Sequence, residues 1–231
     1  LVNILNEAAK TYYQEDREIM SNFEYDSLYD ELVDLENETG VVLSNSPTIH
    51  VGYEIISELP KIEHDIPMLS LDKTKETADL TAWLANQTGL MSWKLDGLTI
   101  VLTYNNGELV RAVTRGSGEI GEVITNNAKV FKNLPLKISY KEELVIRGEA
   151  IIRYSDFQRI NKEIPEIEGK YKNPRNLSSG SVRQLNNEIT AKRNVNFYAF
   201  SLVSSNNEEN FNKSRKKQID FLFFFSIFFL T

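Results

Sequence analysis

The sequence predicts an α+β protein, a small helical subdomain followed by a mostly antiparallel domain. Three observations predict it. Residues 2–14 and 24–38 carry apolar side chains at helical spacing. Leu98, Ile100, Leu102 and Tyr104 alternate with Thr99, Val101 and Thr103 and lead into Asn106 and Gly107. Residues 145–152 form another apolar run of strand length.

Taken in order, the second helical stretch places Tyr25, Leu28, Leu32 and Leu35 on one face with acidic residues between them, so the first 38 residues read as a helical hairpin. Residues 44–48 are turn material, and Pro47 ends any helix. A linker-like run follows, then an apolar patch within HDIPMLSLDK at 64–73, where His64 reads as a loop histidine. Residues 74–88 read as a third helix with Trp83 on its inner face. From residue 90 the pattern turns to strands.

In the stretch SWKLDGLTIVLTYNNGELVRAVTR at 92–115, Lys94 and Asp96 are placed on a strand that leads into a hairpin. Asn106 and Gly107 tolerate the positive φ of a type I′ turn, so residues 108–115 return as the antiparallel partner. Side chains on a strand repeat every second residue, so an amine and a carboxylate face one space. Such an amine is either an ion-pair partner, the commoner case, or a nucleophile.

The run at 145–152 contains Arg147 and Glu149, charges that need partners or water there. A short helix is expected over 155–162. Residues 171–193 look polar, basic and flexible, with Lys172, Arg175, Arg183, Lys192 and Arg193 forming the main basic patch, and they read as a solvated loop when taken alone. Another strand is expected over 197–203 and a polar loop over 206–217. FLFFFSIFFL at 221–230 reads as a buried strand or as foreign sequence, being half the ~20 residues a membrane span requires.

Bulk properties narrow the function. With 231 residues the chain can bury a real core. A net charge of −7, from 26 basic and 33 acidic residues, excludes whole-surface electrostatic binding of nucleic acid and leaves only local patches. The absence of cysteine excludes disulfides and thiolate chemistry, and two histidines exclude a histidine-rich metal centre. GSGEIG at 116–121 satisfies the GxGxxG pattern of a dinucleotide-binding oxidoreductase. That motif requires a parallel βαβ unit, whereas the strand entering these glycines is an arm of an antiparallel hairpin, so they read as loop glycines.

KLDG at 94–97, TRGSG at 114–118, IRGEA at 146–150 and NPRNLSSGSVRQL at 173–185 occur in that order, preceded by the tyrosines at 12 and 13, EYD at 24–26, NSPT at 45–48 and HDIPMLSL at 64–71. Together they resemble the nucleotidyltransferase part of NAD-dependent DNA ligases, from Tyr12 to about Leu202. The resemblance implies a helical nicotinamide-mononucleotide-binding subdomain and linker over 1–60, a partial adenylation domain of the ATP-grasp-like DNA ligase type over 61–203, and an atypical tail over 204–231.

By that resemblance Lys94 attacks the α-phosphorus of NAD and becomes a lysyl-AMP, and Asp96 orients the lysine and the ribose. Glu149 contacts the ribose, Ser70 and Leu71 line the adenine site, and Arg115 lies near the nucleotide. Tyr12, Tyr25 and Asp26 hold the nicotinamide mononucleotide half, with Asn22 where the family has an aspartate and Ser92 where it has a glutamate that reads adenine. Ser117 and Val123 replace aspartates of the glycine-bearing loop. Arg175, Arg183 and Arg193 neutralise phosphates of NAD or DNA, for which the fork of arginine suits paired oxygens.

The implied cofactors are NAD and Mg2+ and the implied partner is nicked double-stranded DNA, bound by a cytoplasmic monomer with no membrane association, in replication and repair. The family continues past residue 200 into further motifs and DNA-gripping domains, so the chain is expected to be C-terminally incomplete, a truncated or degenerate form. The rival expectation is a catalytically silent NAD or nicotinamide mononucleotide binder.

Overall fold

The computed structural model describes residues 1–14, 19–43, 46–48, 58–68, 72–164, 170–205, 214–225 and 227. The chain divides into two compact units, Leu1–Leu69 with Arg115–Glu122, and Ser70–Thr114 with Val123–Thr231. Among the described residues it is a mixed α and β protein whose sheets are antiparallel.

In the first unit α1 (Val2–Gln14) and α2 (Asn22–Thr39) form the expected hairpin. Val2, Leu5 and Leu32 are buried together, with Tyr25, Leu28 and Tyr29 packed against them. Leu35, the last member of the expected apolar stripe, is exposed instead. A capping box fixes the start of α2: Ser21 Oγ accepts from the Glu24 N–H, and the Glu24 carboxylate accepts from the Ser21 N–H. Gly40 ends the helix in the left-handed region. Ser46 and Thr48, on either side of Pro47, donate to the two carboxylate oxygens of Glu36 at 2.5 and 2.6 Å, which ties the turn to α2.

Also in this unit, β1 (Lys61–Glu63) pairs antiparallel with β4 (Ile120–Glu122). Between Arg115 and β4, residues 116–119 form a loop with Gly116 and Gly118 at positive φ, so the GxGxxG stretch makes a turn rather than a βαβ crossover. The Ser117 N–H donates to the Ile120 carbonyl and its Oγ accepts from the Ile120 N–H, both at 3.0 Å.

The second unit is organised on a four-stranded sheet of order β3-β2-β5-β6, every pairing antiparallel: β2 (Leu98–Asn105), β3 (Glu108–Thr114), β5 (Leu144–Ile151) and β6 (Asn196–Ser205). Asn106 and Gly107 join β2 to β3 at φ 50 and 78, the positive values that a type I′ turn requires. Leu98, Ile100, Leu102 and Tyr104 of β2 lie opposite Ala150, Gly148, Ile146 and Leu144 of β5, and Phe197 and Ala199 of β6 extend the same buried face. Thr99 and Glu149 fall on the other face as a direct cross-strand pair.

Several expectations are corrected here. The third helix, α3, is only Thr77–Leu84, and none of its residues is buried; Trp83, expected on an inner face, is 75% exposed. Residues 171–193 are not a solvated loop. After α4 (Thr125–Ala128) and α5 (Tyr154–Glu163), they contribute α6 (Pro174–Val182) and α7 (Asn187–Lys192). Small side chains let α6 sink, so that Ser178, Ser179 and Ser181 are buried. The strand expected over 221–230 is corrected over 221–224, while residues 226 and 228–230 lie outside the described residues. Arg215–Phe224 is a helix, α8, capped by Ser214, with Ile219 and Leu222 buried and Phe221 edge-on to Tyr140 at 5.4 Å.

Candidate active site

Lys94 and Asp96 precede β2 rather than lying on it, since regular pairing begins at Leu98. Gly97 explains why the chain can enter the sheet there. A Cβ at this position would lie 2.2 Å from the Ala150 carbonyl oxygen and 2.7 Å from Ile151 Cγ2, so only glycine lets the two backbones approach so closely. The approach delivers the Gly97 N–H to Glu149 Oε1 at 3.1 Å, while Thr99 Oγ1 donates to Glu149 Oε2 at 3.0 Å. Both oxygens of this carboxylate are thereby fixed in direction.

Burial pushes the Glu149 carboxyl above its ordinary range; the Thr99 hydroxyl, the Arg175 guanidinium, the Gly97 N–H and the Lys94 amine pull the other way. Two cations thus converge electrostatically on one half-buried carboxylate. Asp96 has a different partner. Arg175 Nη1 donates to Asp96 Oδ1 at 2.8 Å.

Arg175 is brought there by the geometry of α6. Asn173 is the N-cap, its side chain accepting from the Asn176 N–H at 2.8 Å, and Pro174 at the first helical position has no N–H to leave unpaired. One turn on, Ser178 Oγ donates to the Ala150 carbonyl at 2.8 Å and seats α6 on β5. Arg175 in the first turn therefore projects to the mouth of the sheet, beside the segment that carries Lys94.

The structure accordingly brings Lys94, Asp96, Glu149 and Arg175 together. Lys94 is exposed and has no ion pair or hydrogen bond among the described residues, because the neighbouring carboxylates are satisfied by other donors. Ser92, two residues before, is exposed as well.

The other predicted residues are distributed as follows. Arg183, which ends α6, donates to Ser179 Oγ. Arg193, which ends α7, donates to Ser181 Oγ at 3.2 Å and lies 5.5 Å over the Tyr171 ring. In the first unit, Arg115 Nε donates to the Met68 carbonyl at 3.3 Å, and the Arg115 carbonyl lies 3.2 Å from His64 Nε2. Tyr25, half-buried, stacks on Tyr29 at 6.4 Å, and Asp26 beside it is exposed. Tyr12 and Asn22 belong to α1 and α2 by their backbones, and their side chains lie outside the description. Ser70 and Leu71 lie outside the described residues altogether.

Two contributors were not anticipated from sequence. The alternation marks Thr99 only as a polar position, although a hydroxyl directly across the sheet from a half-buried carboxylate is a ready donor. Ser178 read as loop polarity. Its signal was the pair Asn173 and Pro174, which marks a helix start.

Comparison with known proteins gives the family. Residues 56–227 match the family model described as the NAD-dependent DNA ligase adenylation domain, and residues 1–52 match the one described as the DNA ligase-like, N-terminal NAD+-binding domain. A DNA ligase of Lachnoclostridium phytofermentans is 68% identical over 222 residues, 96% of this chain and 34% of that protein. A DNA ligase of Ruminiclostridium cellulolyticum is 66% identical over 221 residues, again 96% and 34%. One of Clostridioides difficile is 37% identical over 232 residues, with the same coverage. The chain spans about a third of the length of the curated relatives it matches.

Proposed function

The chain belongs to the NAD-dependent DNA ligase family, and from that premise we propose that it carries the self-adenylation step of nick sealing, with Lys94 as the nucleophile. The observation that carries the reading is the exposed Lys94 amine, with no ion pair or hydrogen bond among the described residues, next to two carboxylates held by other donors.

Once it has lost a proton, the Lys94 amine attacks the α-phosphorus of NAD. A nitrogen–phosphorus bond forms, the pyrophosphate P–O bond breaks, and nicotinamide mononucleotide leaves, so AMP remains on the lysine. Glu149, with both oxygens oriented, receives the ribose hydroxyls. Asp96, steadied by Arg175, orients the amine and the ribose. Arg175, Arg183 and Arg193 meet phosphate oxygens of NAD or DNA. By the family resemblance, Tyr12, Asn22, Tyr25 and Asp26 are assigned to the mononucleotide, and Ser70, Leu71, Ser92 and Arg115 to the adenylate. The proposed domain division is 1–60, 61–203 and a tail over 204–231.

The adenylate then passes to the 5′-phosphate of nicked double-stranded DNA, in replication and repair, by a cytoplasmic monomer. No described helix is long and apolar enough to cross a membrane. Magnesium, the other implied ion, binds at nucleotide sites through substrate phosphates and waters with one or two carboxylates, so Asp96 and Glu149 are the side chains that would meet it, and it would supply charge neutralisation at the phosphates. No step here is routed through it.

Release of nicotinamide mononucleotide, one per protein chain on mixing with NAD, is the test. The wild-type chain is expected to give this burst and Lys94→Ala none; an equal signal from both contradicts the assignment. A second reading, a silent NAD binder, is favoured by Ser92, whose short, uncharged hydroxyl stands where the family's glutamate offers the adenine amino group a carboxylate. Calorimetry showing equal NAD affinity in both proteins, with no release from either, would select it.

A further inference from the structure

Asn127 sits in α4, is 2% exposed and lies outside every motif considered so far. Its Nδ2 donates to the Val182 carbonyl at 2.5 Å and to the Gln184 carbonyl at 2.8 Å. These carbonyls flank Arg183. Two acceptors facing the amide fix its orientation, since only the nitrogen can address both. The consequence is that Asn127 Oδ1 is buried and accepts no hydrogen bond among the described residues. An orphaned buried acceptor costs ~1–3 kcal/mol, a cost that the two donated hydrogen bonds offset.

We infer that Asn127 is a positioning residue for Arg183, gripping the backbone on both sides of it so that the guanidinium is presented to a nucleic-acid phosphate. The inference rests on the phosphate-binding role proposed above for Arg183. Neighbouring contacts act in the same sense. Asn187 Nδ2 donates to the Asn126 carbonyl and to Asn126 Oδ1, each at 3.2 Å, and Gln184 Nε2 donates to the Gly180 carbonyl at 2.8 Å. The turn between α6 and α7 is thus pinned from α4 and from α6. Ser179 Oγ accepts from the Arg183 side chain, so backbone and guanidinium are both constrained. The ordering cost of a long, flexible cation is met before any ligand arrives.

A plain helix-end cap would stabilise the fold and leave charge recognition alone. The salt dependence of DNA binding separates the two roles, because each phosphate contact contributes about 0.9 to the slope of log affinity against log salt. The 231-residue chain, its Arg183→Ala, Asn127→Leu and Asn127→Ser variants, and the Asn127→Ser/Arg183→Ala double variant are titrated against a fluorescent nicked duplex over a range of sodium chloride. The serine keeps a single donor and little bulk, so it serves if the leucine variant does not fold.

Arg183→Ala is expected to lower the slope by about 0.9. The Asn127 variants are expected to lower it equally although they remove no charge, and the double variant to lower it no further. Folded Asn127 variants that keep the wild-type slope, or a double variant that loses twice as much, overturn the inference while Arg183 keeps its role. An unchanged slope in Arg183→Ala removes both.

Discussion

At the scale of single residues, the site depends on which carboxylate each donor satisfies. Glu149 was legible in the sequence as a charge that needed a partner, but its partners were not, because the Gly97 N–H and Thr99 meet it only across the sheet. Its pH dependence follows. Burial raises its folded-state pKa above the ordinary carboxylate value, so between the unfolded and folded values the native state holds more protons than the unfolded chain. Stability contributed at this position is full below the unfolded value and is lost as pH rises through the folded one. Glu149→Gln keeps an oxygen for Gly97 and an amide for Thr99 and never ionises. Denaturant melts should show this variant more stable than wild type at neutral pH, with the gap closing below about pH 4. A gap that widens on acidification contradicts the sign. The Asp96–Arg175 pair behaves differently. With the aspartate side chain 62% exposed and the arginine 23%, Arg175→Ala should change stability by less than about 1 kcal/mol. The same variant should weaken NAD binding about tenfold or more by calorimetry, because a charge-assisted phosphate contact is worth roughly 1.5–3 kcal/mol.

At the scale of elements, the sheet was the most readable part. Period-two alternation in β2 and the Asn106-Gly107 turn are local signals, and each corresponds to an observed element. Other elements were hidden because their meaning is tertiary. The serines of α6 look like loop residues until β5 is beside them; they are small because that approach requires it. Trp83 looked like a core residue because amphipathicity presumes a partner, and α3 buries nothing. The apolar run entering α8 could not be told from a strand by hydrophobicity alone. Gly148 is the sheet counterpart of Gly97: a Cβ there would lie 2.2 Å from Phe197 Cζ and 2.5 Å from the Tyr198 carbonyl oxygen. The backbone oxygen can yield only by disturbing β5–β6 pairing, so Gly148→Ala should cost about 1–3 kcal/mol in denaturant midpoint. A change within about 0.5 kcal/mol would mean that β6 shifts without penalty. In hydrogen exchange, amides of β2 and β5, paired on both sides, should outlast those of α3, which buries no residue.

At the scale of the whole molecule, the order of motifs carried the family in advance of the fold, and the fold explains why they are motifs. KLDG and IRGEA are adjacent because Thr99 and Glu149 are opposed in one sheet, and NPRN joins them because a capped helix start aims Arg175 at Asp96. On the proposed reading, a chain of net charge −7 would meet DNA through a few placed arginines rather than through its overall field. The central claim is that the exposed amine among those motifs accepts the adenylate. It is tested most directly by incubating the chain with NAD labelled in its adenylate portion and mapping the label by peptide mass spectrometry. The account predicts an acid-labile adenylate on Lys94 and none in Lys94→Ala. Absence of label from Lys94 in a folded, NAD-binding protein, or label on another residue, would contradict it.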